Sequence, residues 1–222
     1  MGSKFQGDIN WINWIILTLG GFLVTGAANG FNEIIEKDLD KLMRRTMDRP
    51  IPSGKMTTGQ ALVLSLIMGI SGTYLLVSLN FPTGVLAVFS IFLYAFVYTP
   101  MKRKSPIAVF IGAFPGAFPP LIGYFAAFNE PQISWIPVIL FLIQFVWQFP
   151  HFWAIAWVLD EDYKRAGFRL LPSTKQDKAS AMITLLSTII LIPVSLMPTV
   201  YLMPSGQAFG GSIYAIVVIL AG

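Results

Sequence analysis

Asn32, Glu36 and Asp40 stand at i, i+4 and i+8, where the first long apolar block of the chain ends. Each step of four along a helix advances about 400°, a drift of about 40°, and climbs about 6 Å, so the three oxygen-bearing side chains form one stripe. Such a stripe suits Mg²⁺, which takes oxygen ligands, keeps several waters and is usually held by one or two carboxylates together with substrate phosphates. The plainer alternative is a solvated helix end whose acids pair with Lys37, Lys41 and Arg44. The residues that follow weigh against it. Arg45 and Arg49 are one helical turn apart, and Pro50, Pro52 and Gly54 then end the helix. Guanidinium groups bind phosphate oxygens in a bidentate fork. Carboxylates for a metal and arginines for the same phosphates, within 18 residues, describe a diphosphate site.

The elements that must position these groups follow from composition. Of 222 residues, 55% are hydrophobic and only 12% charged, against about a quarter charged in a soluble domain. The shortfall falls on the residues that keep a surface wet, which excludes an ordinary soluble fold. The apolar residues arrive in blocks near 20 long, the length that crosses about 30 Å of hydrocarbon as a helix. The expectation is an all-α polytopic transmembrane bundle, with spans at 11–31, 59–79, 82–99, 107–128, 134–159 and 179–203 and a seventh starting near 209. That last block rises only about 21 Å, so it reads as a cut span, and residues 1–222 read as a single membrane-embedded domain of a shortened chain. There is no cysteine, which excludes disulfides, thiolate metal sites and cysteine nucleophiles. The first ten residues hold no cleavable signal peptide.

Charge orients the bundle. Of the 15 Lys and Arg residues, six lie between 32 and 58, three directly follow Met101, and five lie between 160 and 178; only Lys4 falls on the other side. The alternate connections carry no basic residue, so the positive-inside rule places the three charged loops in the cytoplasm and the N-terminus outside. The net charge of +4 therefore needs no nucleic acid to explain it. Nine of the 11 acids share the cytoplasmic side, although topology is largely indifferent to acids. Something else keeps the carboxylates there.

The stretch from Asn32 through Glu36, Asp40, Met43, Arg45, Thr46 and Arg49 to Gly54 resembles the first signature of the intramembrane prenyltransferase superfamily of UbiA type. Its Met-x-Arg-Thr and Arg-Pro-x-Pro-x-Gly portions resemble the protoheme IX farnesyltransferase branch. Three more stretches agree: Tyr98-Thr-Pro-Met-Lys102-Arg103-Lys-Ser105; the Gly112, Pro115, Gly116, Pro119, Pro120, Gly123 run; and Gln148-Phe-Pro150-His151-Phe152 leading to Asp162-Tyr163 and Ala166-Gly167. The resemblance covers essentially the whole chain. It departs in three ways. Family members have nine spans, whereas here the first is absent and the chain stops inside what resembles the eighth. Glu33 stands where many relatives outside the heme branch carry Asp. The second acidic motif is Asp160-Glu161-Asp162 rather than cleanly spaced aspartates.

The resemblance implies a Mg²⁺-dependent prenyl transfer in the inner (cytoplasmic) membrane, with its active site on the cytoplasmic side. Metal ligands would be Asn32, Glu36 and Asp40, with Asp162 and, as second choice, Asp160. Arg45, Arg49, Lys102 and Arg103 would neutralise the departing diphosphate, with Tyr98, Tyr163 and Lys164 beside them. The substrates would be farnesyl diphosphate and heme b: ionisation leaves an allylic cation, a heme vinyl group attacks it, and water completes a hydroxyethylfarnesyl side chain. Membrane lipid surrounds such an enzyme, and heme A synthase or oxidase assembly factors are the partners the resemblance suggests.

Several features keep ordinary readings beside these. Lys102 and Arg103 belong to a loop that topology alone would make basic. Phe, Trp and Tyr total 31 of 222 residues; aromatic faces stabilise cations, but in membrane helices they more often pack or anchor at interfaces. Gly112 and Gly116 have small-xxx-small spacing and read as helix-packing residues. His151, the sole histidine, has three readings: a structural residue bonded to backbone loosened by Pro150, a general acid or base, or an axial heme ligand. A transporter or channel subunit is the rival from another class, and it predicts ionisable residues at several membrane depths. The nearer rival is the same fold acting on an aromatic quinone precursor.

Overall fold

The computed structural model describes residues 10–127 and 135–201. Six helices in it are long and apolar enough to cross a membrane: Trp11–Asp40, Thr58–Leu79, Phe81–Met101, Ile107–Ala126, Trp135–Val158 and Lys178–Pro198. Each overlaps an expected span, and no strand occurs among the described residues. The block near 209 lies outside them.

Helix α1 (Trp11–Asp40) starts at Asn10, whose side chain accepts from Asn13 N–H at 3.1 Å. Its 30 residues rise about 45 Å, well beyond the hydrocarbon thickness. The final turns therefore project past the apolar layer as unbroken helix and carry Asn32, Glu36 and Asp40 with them. The helix expected to run on to Pro50 ends at Asp40 instead. Residues 41–57 form a chain of turns, because Thr46 Oγ1 bonds the Asp40 carbonyl (3.0 Å) and draws the backbone back toward α1.

A capping box between Thr57 and Gln60 opens α2 (Thr58–Leu79). Asn80 ends it and caps α3 (Phe81–Ile91), while its Nδ2 donates to the Phe125 carbonyl at 2.6 Å. The third span then loosens into a π-helical stretch, Phe92–Tyr98, before the short α4 (Thr99–Met101). Helices α5 (Ile107–Ala126) and α6 (Trp135–Val158) pack side by side, α7 (Asp160–Arg165) follows, and α8 (Lys178–Tyr201) returns against α6.

The packing is that of a protein in lipid. Many fully buried positions are small, among them Ala27, Ala87, Ala95, Ala113 and Ala117, with Leu76 a larger one, whereas Phe22, Ile67, Ile70 and Ile192 are 59–69% exposed. Lipid tails are as apolar as these large side chains, so helices gain by close approach through small residues and turn the large ones outward. The chain is an integral membrane protein. One larger cluster departs from this pattern. Met43, Val109, Tyr163, Phe168, Leu170 and Leu171 are buried together at the charged end of the bundle. There the 160–178 connection, expected as a cytoplasmic loop, folds inward and becomes a wall.

Candidate functional site

A cavity of about 190 Å³ opens at that end, beneath the three basic connections. Asn32, Glu36 and Asp40 all face it and are all buried, with 4%, 3% and 0% of their surfaces exposed. Burial of two carboxylates requires partners, and the partners come from other segments. Asn32 Nδ2 donates to Glu36 Oε2 and to Thr99 Oγ1, each at 2.9 Å. Lys102 Nζ lies 2.6 Å from the same Glu36 oxygen. Arg49 Nη1 lies 2.9 Å from Asp40 Oδ2. In each carboxylate the second oxygen, Glu36 Oε1 and Asp40 Oδ1, is buried without a hydrogen-bond partner. The stripe is therefore half neutralised: each acid spends one oxygen on a basic residue and keeps one open.

The third span supplies the facing wall. Tyr94 and Tyr98 both line the cavity, their rings 5.4 Å apart. The Tyr94 carbonyl takes the π-helical bond of Thr99 N–H and also accepts from Thr99 Oγ1 at 2.8 Å, which fixes the hydroxyl that Asn32 reaches. Lys102 sits between aromatic faces, its Nζ 5.1 Å from the Tyr98 ring centroid and 5.0 Å from that of Phe168. Burial pushes its pKa below the ordinary 10.5, and the attraction of Glu36 opposes the shift. The Lys102 carbonyl accepts from Arg169 N–H at 2.7 Å, tying the second and third basic connections together. Arg45 places its guanidinium 5.8 Å over the Tyr163 ring. Burial raises the Tyr163 pKa and the Arg45 charge opposes it, which leaves a neutral phenol at the cavity edge.

Gly112 and Gly116 each receive a neighbour rather than a backbone. A Cβ on Gly112 would meet the Tyr98 ring at 2.7 Å, and one on Gly116 would strike the Gln148 side-chain amide. Gln148 is buried and donates to the Ala113 and Gln144 carbonyls at 2.9 and 3.1 Å. The small-xxx-small pair thus seats one cavity residue and one polar clamp between α5 and α6.

The structure brings Asn32, Glu36, Asp40, Arg45, Arg49, Tyr98, Lys102 and Tyr163 to the cavity and leaves five other candidates off its lining. Asp160 is buried and pairs with Lys164 at 2.5 Å. Asp162 pairs with Arg165 at 3.4 Å. Arg103 is exposed beyond Lys102, and His151 is exposed on α6 with its ring stacked on Trp147 at 4.4 Å. Among the described residues no group of three or more His, Asp or Glu gathers at one point, so the second acidic motif stands apart from the first. Tyr94, Phe168 and Leu170 line the cavity without having been singled out. Tyr94 had a signal, since Tyr94, Tyr98 and Lys102 repeat the i, i+4, i+8 spacing of the acids. The other two lay inside a charged connection that hid them.

The family model for the UbiA prenyltransferase family matches residues 1–222. The chain belongs to this family. Among UbiA-type relatives, the chain is 48% identical over 198 residues to a protoheme IX farnesyltransferase of Cytophaga hutchinsonii, covering 88% of this chain and 68% of that one. It is 47% identical over 208 residues to the protein of that name from Flavobacterium psychrophilum, covering 94% and 68%. The homologue of that name in Flavobacterium johnsoniae is 43% identical and covers 100% and 73%. Two solved structures share the UbiA fold. A digeranylgeranylglyceryl phosphate synthase superposes with a TM-score of 0.71 at 22% identity, over 96% of this chain and 73% of that one. A UbiA homolog from Archaeoglobus fulgidus bound to GPP and Mg²⁺ gives 0.71 at 11% identity, over 94% and 72%.

Proposed function

We propose that this prenyltransferase moves a farnesyl group from farnesyl diphosphate to a vinyl group of heme b, giving heme O, and that the cavity at the charged end holds the diphosphate. The observation that carries the site assignment is the pair of open carboxylate oxygens, Glu36 Oε1 and Asp40 Oδ1, each buried beside an acid oxygen already neutralised by Lys102 or Arg49. Unpaired buried oxygens are costly, and a hard cation is the partner that two carboxylates and an amide oxygen suit. The donor set therefore fits Mg²⁺, with Asn32, Glu36 and Asp40 as its protein ligands and substrate phosphate completing the shell. Bound there, Mg²⁺ supplies positive charge to the leaving diphosphate.

The chain's own residues do the rest. Arg45 and Arg49 offer forked donors to the phosphate oxygens, and Lys102 offers a point charge. The C–O bond of the allylic diphosphate breaks with its electron pair leaving on diphosphate. The vinyl carbon of heme then bonds to the allylic carbon, and water adds to the resulting cation with loss of a proton. Tyr94, Tyr98 and Tyr163 present neutral aromatic faces where positive charge develops. Asp162, Asp160, Lys164 and Arg103 lie on the same side of the bundle and serve the incoming diphosphate or the mouth. His151, outside the cavity beside Trp147, is assigned to the heme end. Residues 1–222 act as one membrane-embedded unit in the inner membrane, with the basic connections facing the cytoplasm. Proteins that consume heme O or assemble oxidases are the fitting partners.

Among the described residues the buried charged groups Glu36, Asp40, Lys102 and Asp160 all lie at one end, which favours an interfacial enzyme over a transport path. Diphosphate release is the test. Membranes containing the protein should release it from farnesyl diphosphate only with both Mg²⁺ and heme b. Release with a hydroxybenzoate acceptor and none with heme would move the assignment to quinone chemistry.

A further inference from the structure

Glu33 follows Asn32 on α1 and so lies about 100° around the helix from the acid stripe. Its Oε1 accepts a hydrogen bond from Ile51 N–H at 2.9 Å. Ile51 stands between Pro50 and Pro52, neither of which has an N–H. Glu33 thus takes the sole backbone donor of that tripeptide. The same loop is fastened to α1 a second time. Thr46 Oγ1 bonds the Asp40 carbonyl at 3.0 Å and Arg49 Nη1 bonds Asp40 Oδ2 at 2.9 Å. Glu33 and Asp40 are seven positions apart, about two turns and about 10 Å of helix, with Glu36 between them. The loop is therefore stapled at both ends of the segment that carries the stripe. Ser53 N–H to Arg49 carbonyl (3.0 Å) and Met56 N–H to Pro50 carbonyl (2.9 Å) close the turn that encloses Ile51 and begins at Arg49. Where Ile51 is held, Arg49 is held.

We propose that Glu33 is a positioning residue for the phosphate-binding arginines: it pins Ile51 so that Arg45 and Arg49 stay over the stripe, and it touches neither metal nor substrate. The proposal rests on the diphosphate reading above. It makes acceptor reach, not charge, the property that matters. Gln has the same length and an acceptor oxygen; Asp keeps the charge but is one methylene shorter.

The test joins two readouts on the protein in lipid nanodiscs. Amide hydrogen exchange is followed in a peptide spanning Pro50 to Pro52, and KM and kcat are measured with farnesyl diphosphate, Mg²⁺ and heme b. Glu33→Ala and Glu33→Asp should speed exchange at Ile51 and raise KM about tenfold with kcat little changed, the scale of one hydrogen bond to a charged group. Glu33→Gln should restore both. Unchanged Ile51 exchange in Glu33→Ala, or faster exchange with unchanged KM, would overturn the assignment. Failure of Glu33→Gln to rescue would overturn it too, in favour of a charge role. If the wild type lacks Mg²⁺-dependent affinity for farnesyl diphosphate, the diphosphate reading itself falls. If the wild type binds and Glu33→Ala binds equally well, only the role of Glu33 falls.

Discussion

Lys102 Nζ lies 2.6 Å from Glu36 Oε2, with both side chains buried, across 66 positions of sequence. The pair joins the first span to the turn after the third and sets which oxygen of Glu36 stays open. Removing one partner of a buried pair strands the other charge. Lys102→Met should therefore lower stability by about 3–5 kcal/mol. The double variant Glu36→Gln/Lys102→Met should lose much less than the sum of the single losses. Thermal unfolding of all four proteins in one detergent checks this, and additive losses would mean that the pair does not couple.

Replacing Glu36 or Asp40 by Ala should cut Mg²⁺-dependent turnover by about a hundredfold or more, the scale of losing one charge partner of a transition state. Membrane insertion should be intact, because cytoplasmic acids contribute little to topology. Arg45→Lys keeps the charge and loses the fork, so farnesyl diphosphate affinity should weaken while Mg²⁺ binding stays. Wild-type turnover in both acid variants would return the stripe to a solvated helix end.

Much of this was legible in the sequence for a physical reason. The spans were readable because lipid demands unbroken apolar length, and the stripe because a helix turns four-residue spacing into one face. What could not be read was which distant group neutralises each acid. Lys102 reaches Glu36 only because α1 continues beyond the apolar layer, and Arg49 reaches Asp40 only because residues 41–57 fold back rather than extend the helix. Phe168, Leu170 and Leu171 were hidden for a different reason. They sit in a connection whose charged flanks suggest solvent, yet their side chains pack onto Met43 and Tyr163.

Gly112→Ala should behave unlike Gly123→Ala. The first places a methyl 2.7 Å from the Tyr98 ring, and the second meets nothing within 4 Å. Gly112→Ala should displace Tyr98 and cost about 1–3 kcal/mol by overpacking, with a fall in turnover. Gly123→Ala should be neutral or stabilising by up to about 1 kcal/mol, because Ala is the better helix former. Equal behaviour of the two would remove Gly112 as the seat of Tyr98.

His151 stacks on Trp147 outside the cavity. His151→Ala should weaken heme b binding and shift its Soret absorption while farnesyl diphosphate affinity stays the same. Unchanged heme spectra and affinity with collapsed turnover would instead point to proton transfer. If all three are unchanged, the histidine is structural.

The central claim is a Mg²⁺-dependent farnesyl transfer to heme b at the Glu36–Asp40 stripe, and the mass of the porphyrin product tests it most directly. Membrane-reconstituted protein given heme b, farnesyl diphosphate and Mg²⁺ should convert heme b into a species heavier by one farnesyl group and one hydroxyl group, and should not do so with Glu36→Ala or without Mg²⁺. Heme b recovered unchanged from the wild type, or the same adduct formed undiminished by Glu36→Ala, would contradict it.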